Sequence, residues 1–452
     1  MTIGANGRLN VAVIGAGWAG CAAAVEATRL GHRVTVFEAS RTPGGRARRV
    51  DVAHGGQNLA LDNGQHILIG AYSETLKLMA ELGIDVPASF LRMPLTMQFP
   101  DGNGLVLPQL PAPFDALVGI LRARGWSIAD KWSLLKAATL WQLRQFKCPA
   151  AQTVADLCSS ISPQVMATLI EPLCVSALNT PADRASGQVF LRVLQDSMFA
   201  VSGGSNLLLP RADLSALLPD AALGWLRNQG GQVQLGCRVS SITPVADSWN
   251  LAGASDAQLG QFDAIILACP PLEAARLAGS TALPCADWLA LAEGLRYEAI
   301  ATVYAHAPGA RLAFMAPRDK LDHESYFRLT QPMLALVSNN LQPAQLVFDR
   351  GQLGGPPGLL AFVVSASKGD AATLASQVAA QATQQLNIKG LQVLQTVVEK
   401  RATFACTPGL QRPGEVIAPG LLACGDYVDG PYPATLEGAV RSGFSAARLL
   451  PN

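Results

Sequence analysis

Residues 10–38 read Asn10-Val-Ala-Val-Ile14, Gly15-Ala-Gly-Trp-Ala-Gly20, a small-residue run from Cys21 to Leu30, and Arg33-Val-Thr-Val-Phe37 closing on Glu38. A short apolar β-branched run, a glycine turn, a helical pattern and a second β-branched run come in the order of a βαβ unit. Gly15 permits the tight turn, Gly17 lets backbone N–H groups approach a pyrophosphate, and Gly20 allows close helix packing. Trp18 and Ala19 lie at the helix N-terminus, whose partial positive charge favours phosphate. Glu38, followed by Ala39, ends the second strand, where a carboxylate accepts hydrogen bonds from a ribose. Together these features predict a dinucleotide site. Gly44-Gly45-Arg46 follows closely and is suited to wrap the diphosphate from its other side.

A second signal lies near the other end. Pro419-Gly-Leu-Leu-Ala-Cys-Gly425-Asp426 reads as a buried strand closing on Gly-Asp, and Pro433-Ala-Thr435-Leu436-Glu-Gly-Ala-Val440 opens a helix. An Asp at a strand end suits a polyol hydroxyl, and the free helix N-terminus suits an electron-rich ring oxygen. Phe262-Asp-Ala-Ile-Ile-Leu-Ala268 is a further buried strand. Residues 203–242 read as a helical stretch feeding a strand, with Val239 placed to face an adenine. The fold class expected is α/β, a discontinuous Rossmann-like domain with a mixed α+β substrate domain. The nucleotide domain takes residues 1–84, 201–295 and 401–452, and the substrate domain takes 85–200 and 296–400.

The chain has 452 residues, enough for two or three units, and is 50% hydrophobic but only 15% charged. A net charge of +1 provides no field to gather nucleic acid. Nine scattered cysteines, odd in number and without a CxxC pair, argue against a disulfide framework and against a metal site. A reducing cytoplasm fits that usage, and Met1 to Asn10 shows no export signal. The longest weakly charged stretch, Leu105 to Leu121, holds Pro108, Pro111, Pro113 and Asp115, so no membrane-spanning helix is expected. Phe114 to Arg124 and Ile128 to Lys147 read as helices, the second basic and amphipathic, a pattern that either packs against its own protein or lies on the inner face of an anionic membrane.

With these residues placed, the chain resembles the flavin amine oxidase and carotenoid desaturase superfamily. Asp62-Asn-Gly-Gln65-His66-Ile-Leu-Ile-Gly-Ala-Tyr-Ser73 is similar to that superfamily's flavin-passing segment, and Ala423-Cys-Gly-Asp-Tyr427 with Ala434 to Val440 to its C-terminal flavin motif. Asp62 to His66 and Leu209-Pro-Arg-Ala-Asp-Leu-Ser-Ala-Leu-Leu-Pro219 resemble the versions found in the hydroxysqualene dehydroxylase subgroup of bacterial hopanoid pathways. The resemblance implies FAD held by Gly15, Gly17, Gly20, Glu38, Gly44, Gly45, Arg46, Val239 and Asp426. Gln65, His66, Thr435 and Leu436 come close to the isoalloxazine.

It further implies reductive removal of the allylic hydroxyl of hydroxysqualene, giving squalene, with hydride from reduced flavin and a proton for the departing oxygen. The apolar composition is consistent with such an isoprenoid substrate. His66, Tyr432 and Tyr297 are the candidate proton donors; His32, His54, His306 and His323 are given no role. Gly203-Gly204 lacks a strand-turn-helix context for a pyridine nucleotide, so the electron donor stays open. A carotenoid-type desaturase, an amine oxidase and a non-catalytic flavin-bound lipid carrier or assembly partner of a squalene synthase-like enzyme are the alternatives. The 6% aromatic content offers few residues for an amine-binding cage.

Overall fold

Strand Asn10–Ile14 sits inside a six-stranded sheet in the computed structural model, which describes residues 8–54, 56–200, 202–317 and 326–451. The sheet runs Gln232–Leu235, Arg33–Glu38, Asn10–Ile14, Ala264–Leu267, Leu421–Ala423 and Val416–Ala418. All neighbours are parallel except the last pair, with Val11 opposite both Val34 and Ala264. Period-two alternation sorts the central strand: Val11 and Val13 face a core holding helix Trp18–Arg29, while Ala12 and Ile14 face the opposite core. The alanines of that helix let helix Leu436–Arg448 approach so closely that a Cβ on Gly443 would stand 2.3 Å from the Ala19 carbonyl oxygen.

A second sheet is wholly antiparallel, in the order Met333–Ala335, Leu346–Asp349, Leu359–Ser365, Tyr297–His306 and Gln392–Phe404. Helix Ala371–Leu386 covers one face through Leu374, Val378 and Ala382, which pack with Val303, Val347 and Phe362. The other face presents Ile300, Leu346, Phe348 and Val363 to a large cavity. Residues 114–200 add a helical layer that includes Phe114–Arg122, Ile128–Leu143 and Gly187–Gln195.

Several expectations are corrected. Residues 203–210 are not helical: Leu207–Pro210 is a strand paired with Leu68–Ile69 and Phe90–Met93, and helix Pro219–Asn228 is what feeds strand Gln232–Leu235. The C-terminal helix begins at Leu436 because Thr435 caps it, its hydroxyl accepting from Gly438 N at 3.0 Å, so Pro433 lies in the preceding loop. The boundary drawn between residues 400 and 401 falls inside strand Gln392–Phe404, whose 13 residues pair along the length of Tyr297–His306. His323 and most of Met1 to Asn10 lie outside the described residues. Among the described residues no helix is long and apolar enough to cross a membrane.

Candidate functional site

A cavity of about 860 Å³ lies between the two sheets, over the carboxyl ends of Asn10–Ile14, Arg33–Glu38 and Ala264–Leu267. Ligands of doubly wound sheets bind at that edge. Gly15, Gly17, Trp18, Ala19, Glu38, Ala39, Gly44, Gly45, Arg46, Gln65, His66, Val239, Gly425, Asp426, Thr435 and Leu436 all line it, as do Tyr297 and Tyr432. Gly20 does not: a Cβ there would overlap the Gly15 carbonyl oxygen at 2.0 Å, so this glycine seats the helix.

The two glycine loops are joined to each other. Gly44 N donates to Ala16 O at 2.8 Å, and a Cβ on Gly45, whose φ is +63°, would stand 3.3 Å from Gly17 Cα. Trp18 Nε1 donates to Ala47 O at 3.1 Å, tying the first turn of the helix to the second loop. Gly17 ends the first loop with no side-chain cap on the helix, leaving that turn's N–H groups for an anion. Glu38 has a task the sequence did not show: its two oxygens accept from Ala16 N at 2.8 Å and Ser40 N at 2.7 Å, fixing the loop. A carboxylate has about four lone-pair sites, which leaves capacity for a ribose.

Arg46 lines the cavity and is tied to the C-terminal motif. Its guanidinium donates to Asp426 Oδ1 at 2.5 Å and to Ala402 O at 2.6 Å, linking the N-terminal loop, the C-terminal motif and the second sheet. Gly64 and Gln65 lie against the second sheet: a Cβ on Gly64 would stand 3.8 Å from the Thr302 hydroxyl, to which Gln65 N donates at 3.1 Å. Burial, with a smaller contribution from Arg46, holds the His66 imidazole below its ordinary pKa. Its Nδ1 lies 2.8 Å from Gly64 O, which only accepts, so Nδ1 carries the hydrogen and Nε2 is left as the ring's acceptor. His66 is therefore poorly suited to give up a proton near neutrality.

Two phenols stand out. The side chains of Tyr297 and Tyr427 line the cavity, and their hydroxyls are buried with no hydrogen-bond partner among the described residues. Burial pushes both up, so both keep their protons in the neutral range. Tyr432 is instead engaged with Asp196, and the guanidinium groups of Arg192 and Arg441 lie 5.3 Å and 5.5 Å from its ring centroid. Tyr427 and Glu437 sat inside the quoted motif without being singled out. Glu437 is buried and accepts from Thr75 N, the Thr75 hydroxyl, Glu74 N and Arg441 Nε, anchoring helix Ser73–Glu81. The sparse aromatics concentrate here: Trp18, Phe37, Tyr72, Phe190, Tyr297, Phe348, Tyr427 and Tyr432 all line the cavity, so composition understated its aromatic character.

Asp62, at the head of the flavin-passing segment, is buried, its Oδ1 accepting from Leu214 N at 2.8 Å. Burial pushes its pKa up to about 7. Since the folded value exceeds the unfolded one of about 3.9, the folded state binds this proton more tightly. That contribution to stability is complete below about pH 4 and is lost as pH rises through about 7. Asp62→Asn keeps the acceptor oxygen, so its melting temperature relative to the parent is expected to be higher at pH 8 than at pH 5; parallel pH profiles would contradict this.

All nine cysteines are free, and the described residues hold no cluster of metal-ligating side chains. The glycine cradle, the uncapped helix N-terminus, the two orphaned phenols and the size of the cavity fit a flavin dinucleotide.

Comparison with known proteins agrees. The profile described as Flavin containing amine oxidoreductase matches residues 18–451. The hydroxysqualene dehydroxylase of Rhodopseudomonas palustris is 31% identical, over 97% of this chain and 98% of its own; that of Sinorhizobium fredii is 27% identical over the same shares. In fold, the chain is similar to a crystal structure of an oxidoreductase from Methanosarcina mazei, with a TM-score of 0.69 at 18% identity, covering 97% of this chain and 100% of that one. Matched along nearly its whole length, and with a cavity shaped for the cofactor, the chain belongs to the flavin-containing amine oxidoreductase family and is a flavin-dependent oxidoreductase.

Proposed function

We propose that the enzyme removes the allylic hydroxyl of a hydroxysqualene-like isoprenoid alcohol, replacing C–OH with C–H and releasing water. The observation that carries this reading is the end-to-end match to enzymes named for that reaction. The apolar walls of the cavity support it: Leu173, Phe190, Leu194, Leu346, Phe348 and Val363 suit a long hydrocarbon and keep water from an electron-poor carbon.

FAD would be held by Glu38 and Val239 at its adenosine end, by the two glycine loops at the diphosphate, and by Arg46, Asp426, Thr435 and Leu436 beyond. When bound and reduced it supplies the hydride. The chain's own residues handle the proton. The departing hydroxyl needs one to leave as water, and Tyr297 is protonated, lines the cavity and has a hydroxyl without a hydrogen-bond partner among the described residues, with the Arg401 guanidinium 6.0 Å from its ring centroid. The charge balance is one hydride to carbon and one proton to oxygen. The electrons come from an external donor, a reductase, a quinol or a pyridine nucleotide.

Asp426→Ala removes the anion that holds Arg46, a loss on the order of 1–3 kcal/mol for a charge left without its partner. FAD affinity is expected to fall at least about tenfold on fluorescence titration; unchanged affinity would remove Asp426 from the cofactor's site. The reaction itself is tested by incubating the reduced holoenzyme with hydroxysqualene and identifying the extracted lipid. Squalene is the expected product. Desaturation of phytoene or oxidation of amines by the oxidised holoenzyme, with hydroxysqualene untouched, would instead favour the oxidative alternatives, and silence with every substrate would favour a carrier.

A further inference from the structure

Helices Phe114–Arg122 and Ile128–Leu143 pack on one another and turn an apolar surface outward. Phe114 is 60% exposed, Ile128 85%, Trp132 69% and Leu143 76%, with Leu117 and Leu121 also exposed. Isolated exposed apolar residues are ordinary, but these follow helical spacing: residues 114, 117 and 121 on one helix, and 128, 132 and 143 on the other.

The same segment concentrates charge. Residues 114–147 hold six Lys or Arg and two Asp, in a chain whose overall net charge is +1. The two acids leave the segment at a net charge of +4: Asp115 is buried, and Asp130 is engaged in a capping box with Ser127. Arg122, Arg124, Lys136, Arg144 and Lys147 are exposed, and none pairs with a carboxylate among the described residues. Lys131 is spent internally, donating to Leu121 O at 2.8 Å and locking the two helices together. The surface therefore combines an apolar stripe, an interfacial Trp and a flanking row of unpaired cations.

It also connects to the cavity. Phe146, just past the second helix, lies 5.2 Å from Phe199, ring to ring, and its carbonyl accepts from Gln188 Nε2 at 3.1 Å. Gln188 lies on helix Gly187–Gln195, which with the turn that follows walls the cavity through Phe190, Val193, Leu194 and Met198.

We infer that this two-helix surface docks on an anionic lipid bilayer, lying in its interface without spanning it. The charge row matches anionic headgroups and the apolar stripe matches the acyl boundary. That the docked face serves to deliver an apolar lipid to the cavity rests on the function proposed above; the docking itself does not.

The test is co-sedimentation of holoenzyme with vesicles of phosphatidylglycerol and phosphatidylethanolamine, and with phosphatidylcholine alone. Two double variants are compared, Ile128→Ser with Trp132→Ser and Lys136→Glu with Arg144→Glu; Lys131 is avoided because it joins the helices. Binding to the anionic vesicles that falls at least about tenfold in each variant, with flavin absorbance and melting temperature retained, is the expected result. Unchanged binding in both variants would overturn the inference. So would a wild-type dimer in light scattering that the apolar variant dissociates while vesicles bind nothing, since the face would then be an interface between copies. Turnover assayed in detergent micelles separates the two claims: vesicle binding without squalene formation keeps the surface and sinks the substrate assignment.

Discussion

Gly20→Val is expected to give no folded, flavin-loaded protein. A Cβ at position 20 would lie 2.0 Å from the Gly15 carbonyl oxygen and 2.9 Å from Ala268 Cβ. The oxygen cannot retreat, because Gly15 itself adopts φ +117° and its own missing Cβ would stand 2.5 Å from Ala268 O. Helix Trp18–Arg29 would have to lift from strand Asn10–Ile14, opening the buried centre of the nucleotide-binding sheet. Soluble yield, flavin absorbance and thermal unfolding read the outcome. Gly224→Ala is the control: it lies in helix Pro219–Asn228 with open space around it, so it should be neutral or stabilising by up to about 1 kcal/mol. A Gly20→Val protein purified with full flavin would contradict this packing account.

Tyr297→Phe is expected to lower turnover about a hundredfold or more while leaving FAD bound and the fold intact, the scale of a lost general acid. The substitution deletes a hydroxyl without a hydrogen-bond partner among the described residues, so none of them is orphaned by its loss. Tyr432→Phe should cost far less, because that phenol is committed to Asp196 near the cations of Arg192 and Arg441. The measurement is single-turnover rate against pH with pre-reduced enzyme, together with FAD affinity. Equal rates for Tyr297→Phe and the parent would move the proton-donor role to Tyr427, the other orphaned phenol.

What the sequence revealed followed the range of its physical signals. The βαβ unit was legible because its glycines, strands and acid are local and each answers one requirement of a phosphate-binding turn. The C-terminal motif was legible for the same reason, and its lining residues Gly425, Asp426, Thr435 and Leu436 meet the N-terminal loops across one cavity. The Arg46–Asp426 pair was not, since it joins residues 380 positions apart and either side chain alone reads as a turn or phosphate residue. Glu38 hid its second role because backbone acceptance by a carboxylate leaves no pattern in sequence. The antiparallel sheet was not assembled from sequence: Tyr297–His306 and its partners Leu359–Ser365 and Gln392–Phe404 come from distant segments without glycine fingerprints. Composition failed in one respect, because a chain average says nothing about the eight aromatic side chains gathered around a single cavity.

The proposed reaction requires the reduced holoenzyme to replace the hydroxyl on an allylic carbon with hydrogen. Anaerobic photoreduction of the holoenzyme, followed by one equivalent of hydroxysqualene and simultaneous recording of flavin absorbance and lipid product, tests it most directly. Flavin reoxidation with one squalene formed per flavin is the predicted result. Flavin that stays reduced with hydroxysqualene recovered unchanged would contradict it.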